Sequence, residues 1–214
     1  MAEKRLNRQI KSKRRVAEHG EVFTAEREVN AMLDLVGSNI SSITTTVLEP
    51  AVGEGIFLLK ILDRRLAAID RYGVTGWNRE WHVLQAIATL YGIDIQRDNV
   101  MITRRNISDK ANLYLRTKYI TPSVGFDKAL DAILKRNIVA GNTLTCSELN
   151  GLPLKLSEWT FQRDGTITRM DFPLQELINN GGQSTAKHRM YSYNWMQKTS
   201  RSSDRTVGHA YAAA

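Results

Sequence analysis

Residues 43–72 restrict this chain more than any other stretch. They begin as a β-branched, apolar segment, ITTTVLE, and break at Pro50 and at two glycines one residue apart, Gly53 and Gly55. They resume with Phe57, Leu58, Ile61, Leu62, Leu66 and Ile69 at helical spacing, ending before Gly73. A buried strand that feeds a long helix through a glycine turn is the opening of a βαβ unit. The same grammar then repeats. A helix is predicted over 78–90, an apolar strand at Gly92-Ile93-Asp94-Ile95, helices over 97–117 and 126–136, and a strand at 137–142 that leaves into a turn. Strands that are apolar throughout and alternate with helices predict an α/β fold: a mostly parallel sheet flanked on both faces by crossover helices.

The flanks read differently. Residues 26–37 place Val29, Met32, Leu33 and Val36 on one face of a short amphipathic helix, with Gly37 at its C-terminus. Beyond residue 153 the sequence LKLSEWTFQRDGTITRMDF reads as a C-terminal β-hairpin turning at Asp164-Gly165, and Pro173 opens a short helix, LQELI. From Asn179 onward Gly, Ser, Thr and basic residues dominate, although Tyr191, Tyr193, Trp195 and Met196 are apolar enough to dock on a partner. The expected organisation is a basic arm at 1–18, one domain at 19–178 and a basic, aromatic-containing tail at 179–214.

Charge narrows the partner class. A net charge of +8 favours an anionic partner, nucleic acid before others. Lys4, Arg5, Arg8, Lys11, Lys13, Arg14 and Arg15 crowd one end, and Lys187, Arg189, Lys198, Arg201 and Arg205 mark the other. Such arms suit phosphate contacts that weaken with salt. A lone cysteine, Cys146, gives no internal disulfide and no metal set. With no run of membrane-spanning length and no secretion signal, the chain is expected to be cytoplasmic, with neither membrane nor metal among its partners.

Chemistry concentrates at the first turn. In an open parallel sheet, ligands bind beyond the carboxyl ends of the strands. Glycines at 53 and 55 permit unusual torsions and close approach, and the helix that follows offers N–H groups to a carboxylate or phosphate. G-x-G alone is a weak sign. The dinucleotide pattern wants a third glycine or alanine where this chain has Leu58, which disfavours a nicotinamide cofactor.

The run Glu49-Pro50-Ala51-Val52-Gly53-Glu54-Gly55-Ile56-Phe57-Leu58 resembles the first motif of the N6-adenine DNA methyltransferases of restriction-modification systems, acid-Pro-Ala-x-Gly-x-Gly-x-Phe-Leu, at every fixed position. Upstream, His19-Gly20-Glu21-Val22-Phe23-Thr24 before a helix is similar to that family's N-terminal motif. Downstream, Tyr91-Gly92-Ile93-Asp94-Ile95 and Ile138-Val139-Ala140-Gly141-Asn142-Thr143-Leu144 resemble its next two landmarks. The resemblance covers roughly residues 19–178 as ordered landmarks. It implies a Rossmann-like, class I methyltransferase fold and S-adenosyl-L-methionine as cofactor. By the same resemblance the cofactor is held by Phe23, Thr24, Glu49, Pro50, Ala51, Gly53, Gly55, Phe57, Asp94, Ile95, Asn142 and Leu144. Thr24 would approach the methionine carboxylate, and Asp94 would take the ribose hydroxyls. A ribose diol wants a carboxylate that accepts two hydrogen bonds, and a zwitterionic methionine wants N–H donors and an acceptor. Simpler roles stand beside these: Phe57 and Leu58 as core, Thr24 as a helix cap, Asp94 as a strand end, Asn142 as a turn former.

The family's catalytic motif, Asn or Asp followed by Pro-Pro and an aromatic, is missing. The chain has four prolines, Pro50, Pro122, Pro153 and Pro173, and none adjoins another. Its corresponding place would be Ser157-Glu158-Trp159-Thr160, and the family's "GD" aspartate is here Asn142. The catalytic residues are therefore unassigned. The resemblance implies the cofactor-binding half of a split DNA adenine-N6 methyltransferase, inactive without a complementary methyltransferase or restriction polypeptide. Two alternatives are a catalytically inactive methyltransferase-like protein that binds nucleic acid or regulates, and a stand-alone methyltransferase of another substrate class, with Glu158 as the ionisable group near its pocket.

Overall fold

The computed structural model describes residues 24–179, 190–195 and 211–212. Helix α1 (Glu26–Val36) and a short 3-10 turn (Ser38–Ser41) precede β1 (Val47–Glu49). Then come α2 (Ile56–Arg71), α3 (Gly76–Ala88), β2 (Leu90–Asp94), α4 (Arg97–Thr117), α5 (Val124–Asn137) and β3 (Ile138–Asn142). After the short β4 (Ser147–Glu148) the chain forms β5 (Lys155–Phe161), β6 (Ile167–Pro173), α6 (Leu174–Asn179), β7 (Met190–Tyr193) and β8 (Tyr211–Ala212). The fold is α/β with two sheets of order β1-β2-β3-β4 and β5-β6-β7-β8. In the first, β1 to β3 are parallel and β4 is antiparallel, so the sheet is mixed. The second is antiparallel throughout.

The first strand is shorter than the β-branched run predicts, because neighbouring side chains take the backbone groups of residues 40–45. Arg65, on α2 and 0% exposed, donates to the carbonyls of Ile40, Thr45 and Ala86 and to Thr89 Oγ1. Thr89 in turn donates to the Ile43 carbonyl at 3.0 Å. These bonds satisfy the approach to β1 without a ladder. Burial pushes the Arg65 guanidinium down to about 10.

Both crossovers run the same way, from β1 to β2 to β3, and that direction decides where the helices lie. Right-handed crossovers in a single direction put the crossover helices on one face. The main core accordingly gathers Leu58, Ile61 and Leu62 of α2, Leu84 and Ile87 of α3, Ile107 of α4 and Ile133 of α5 against Leu90 and Ile138. Helices on both faces were expected; the second face is covered instead by the hairpin layer. There Tyr91 and Ile93 meet Leu154, Leu156, Phe172 and Leu174, and Tyr91 Oη donates to the Ser157 carbonyl at 2.7 Å.

That cover stops short of β1. Leu48, in register with Tyr91, is 39% exposed. Val47 N–H is spent on the Thr89 carbonyl, so alternation along the strand turns the Leu48 peptide groups toward the outer edge of β1. Among the described residues no strand pairs with that edge.

Asn137, 0% exposed, locks the hairpin to the parallel layer. Its Nδ2 donates to the carbonyls of Ala88 at 2.8 Å and Leu90 at 3.1 Å, and its Oδ1 accepts from Trp159 Nε1 at 2.8 Å. The tail aromatics, expected to wait for a partner, are used within the chain. β7 pairs with β6, Tyr193 stacks on Trp195 at 4.1 Å, and Arg169 lies 4.2 Å from the Tyr191 ring centroid. Met196 and the basic arm at 1–18 lie outside the described residues.

Candidate functional site

The turn after β1 is held at the carboxyl ends of three parallel strands. Gly53 and Gly55 have φ of +54° and +87°, the left-handed region that a side chain makes costly. Val52 N–H donates to the Ile93 carbonyl and Gly55 N–H to the Val52 carbonyl, both at 2.9 Å, so the turn folds back over the end of β2. It lies close enough that a Cβ at Gly92 would meet Val52 Cγ2 at 2.8 Å. α2 then starts with Gly55 at its N-cap and no side-chain cap. Its first-turn N–H groups therefore remain for a ligand or solvent.

Asp94 ends β2 and meets this turn. Its Oδ2 accepts Gly53 N–H at 2.8 Å, while Oδ1 accepts Gln96 N–H at 2.8 Å and Asn99 Nδ2 at 3.4 Å. The carboxylate is 9% exposed, and three donors occupy most of its roughly four acceptor positions. A diol bound here would share an acceptor already in use. Glu49, the last residue of β1, is half-buried; burial raises its carboxyl above 4.5, partly offset by the Ala51 backbone N–H. The end of β3 joins through Thr143, whose Oγ1 donates to the Pro50 carbonyl at 2.7 Å.

The predicted residues separate into groups. Glu49, Pro50, Ala51, Gly53, Gly55 and Asp94 come together around the turn. Phe57 is half-buried against the main core. Asn142 forms a turn: its Oδ1 accepts from Leu144 N–H at 2.9 Å and Thr145 N–H at 3.3 Å. Leu144 is 95% exposed and Ile95 48%. Thr24 is not the cap of α1, since that position belongs to Ala25, whose N–H reaches Glu28 Oε2 at 3.2 Å. Phe23 lies outside the described residues.

Ser157-Glu158-Trp159-Thr160 runs across the sheet and not along the turn: the Ser157 carbonyl accepts from Tyr91 Oη in the middle of β2, and the strand continues toward the amino ends of β2 and β3. Trp159 is bonded to Asn137, which precedes β3, and Phe161 meets Trp81 edge-on at 5.0 Å. Among the described residues the side-chain hydrogen bonds of the segment go to Tyr91, Asn137 and Asp171, and none of them to the turn.

Two residues that the sequence reading missed hold the turn from α4. Thr103, 0% exposed, donates from Oγ1 to the Gly53 carbonyl at 2.8 Å, and Asn106 Nδ2 donates to the Glu54 carbonyl at 3.1 Å. A Cβ at Gly55 would meet Thr103 Cγ2 at 2.8 Å, whereas one at Gly53 would meet nothing within 4 Å. Gly55 thus faces the protein and Gly53 faces open space. The only sequence sign of Thr103 is a polar residue on the buried face of an amphipathic helix.

No known family model matches this chain, and no curated protein matches it in sequence. Among the described residues no helix is long and apolar enough to cross a membrane.

Proposed function

We propose that this chain is the S-adenosyl-L-methionine-binding half of a split DNA adenine-N6 methyltransferase of the restriction-modification kind, with the catalytic motif on a partner polypeptide. The observation that carries the reading is the 2.8 Å bond from Gly53 N–H to Asp94, which brings the two most specific landmarks to one place. The open space beside Gly53 is the kind of cradle a close-lying ligand needs. In this reading β1 to β3 are the first part of a Rossmann-like, class I methyltransferase sheet. Glu49 would receive the methionine ammonium, the α2 amides its carboxylate, and Asp94 the ribose. The cofactor would supply a methyl group to an adenine amine; this chain's residues bind and orient it and offer no clamp for that amine.

The one-way winding supports incompleteness. Ligand crevices in doubly wound sheets form where strand order reverses. Among the described residues β1 stands at the outer edge, and in this reading the crevice beside the turn would be completed by strands outside those residues. The basic composition favours a second reading, a methyltransferase-like protein that binds nucleic acid without catalysis. The third reading, a stand-alone methyltransferase of another substrate class, would draw on Glu158, on a strand that meets Tyr91 of β2.

Calorimetric titration with S-adenosyl-L-methionine is expected to give micromolar binding, within the ordinary range for enzyme ligands. Gly53→Leu should abolish it, since the side chain would enter the ligand's space. Methyl transfer to DNA should need the co-encoded polypeptide. Absence of binding would end the cofactor reading; transfer by this chain alone would end the split-site reading.

A further inference from the structure

We infer that Thr103 and Asn106 are positioning residues for the amino-acid end of the ligand, an inference that rests on the cofactor reading above. A trans peptide unit holds its C=O and N–H antiparallel. Anchoring the Gly53 carbonyl to Thr103 Oγ1 and the Glu54 carbonyl to Asn106 Nδ2 therefore fixes two successive peptide planes. The Glu54 and Gly55 N–H groups are aimed away from α4 as a result. Gly55 N–H uses that direction to close the turn on the Val52 carbonyl at 2.9 Å. The methyl of Thr103 fills the space where a Gly55 side chain would lie, so α4 templates the turn by contact as well as by hydrogen bonds.

The same helix begins just beyond Asp94, whose Oδ1 is tied to Gln96 N–H at its N-cap. One rigid element thus sets both the acid at the sugar end and the turn at the amino-acid end. The spacing between the two halves of the ligand is measured along α4, from its Gln96 cap, which holds Asp94, to Thr103. This makes a prediction that simple structural support does not. Loss of an α4 anchor should harm ligands that carry the amino-acid end and spare those that lack it.

The test compares S-adenosylmethionine, S-adenosylhomocysteine and methylthioadenosine, which lacks the amino-acid end, by calorimetry on the full chain. Thr103→Val keeps the shape and removes the donor; it should weaken the first two ligands about tenfold, the worth of one hydrogen bond, and leave methylthioadenosine within about twofold. Thr103→Ser, which keeps the hydroxyl, should restore both. Asn106→Ala, at a half-buried position, should show the same split and serves if Thr103→Val does not fold. Equal losses for all three ligands, or no loss for any, would overturn the inference while leaving the cofactor reading intact. Wild-type protein that binds none of the three would overturn both.

Discussion

Glu49 shows how a single side chain couples site and stability. Its folded-state carboxyl is raised above 4.5 chiefly by burial. The folded protein therefore binds that proton more tightly than the unfolded chain does. The resulting stability is present below pH 4.5 and is lost as pH rises through the raised value. In the proposed reading ligand binding should run the opposite way, because an ammonium placed beside Glu49 would favour the ionised form. Affinity for S-adenosylmethionine is expected to tighten as pH rises through the same window, and Glu49→Gln should flatten that step in calorimetry. A Glu49→Gln profile that keeps the step would place the titrating group elsewhere. At this scale the sequence was legible where chemistry leaves a local pattern: two glycines and two acids at fixed spacing announced the turn and Asp94. Thr103 and Asn106 were not legible. Each acts on a backbone carbonyl some fifty residues away, a pairing no local spacing records.

Among the elements, helices and parallel strands followed their hydrophobic periods closely, with α4 over the predicted 97–117. The departures have identifiable causes. Residues 43–46 have strand-forming side chains, yet Arg65 and Thr89 consume the carbonyls of Thr45 and Ile43. β7 went unpredicted because its partner β6 is distant in sequence and the segment before it looks like a linker. The hairpin was predicted as an element but not placed, and its placement depends on Asn137. Replacing Asn137 by Leu would leave Trp159 Nε1 and the carbonyls of Ala88 and Leu90 buried without partners. The expected cost is about 3 kcal/mol or more, from 1–3 kcal/mol per orphaned group, measurable by denaturant unfolding. A double-mutant cycle with Trp159→Phe should show strong coupling; additive losses would mean the bridge carries little energy.

At the scale of the whole molecule, the edge of β1 is the place to look for a partner. If the co-encoded polypeptide adds strands there, the Leu48 amide should gain protection from hydrogen exchange on mixing. Leu48→Arg should weaken that association without altering S-adenosylmethionine affinity, because its side chain lies on the face opposite the main core. Unchanged exchange at Leu48 in an active mixture would put the contact elsewhere. Parallel pairing and helical crossovers between β1, β2 and β3 were implicit in the alternation of elements; strand order was not. That every crossover would return over the same face was not, since it depends on which neighbour each strand chooses.

If the proposed split-enzyme reading holds, one-sidedness also bears on how such an enzyme is divided between two polypeptides. In a sheet that grows outward in both directions from its first strand, the covalent path turns back only once. Severing it there leaves a portion in which every strand keeps the helices that shield it. A break inside residues 47–142 would instead part a strand from its shield. On that reading the topology marks the seam at which such a catalyst would be separated with each strand still covered.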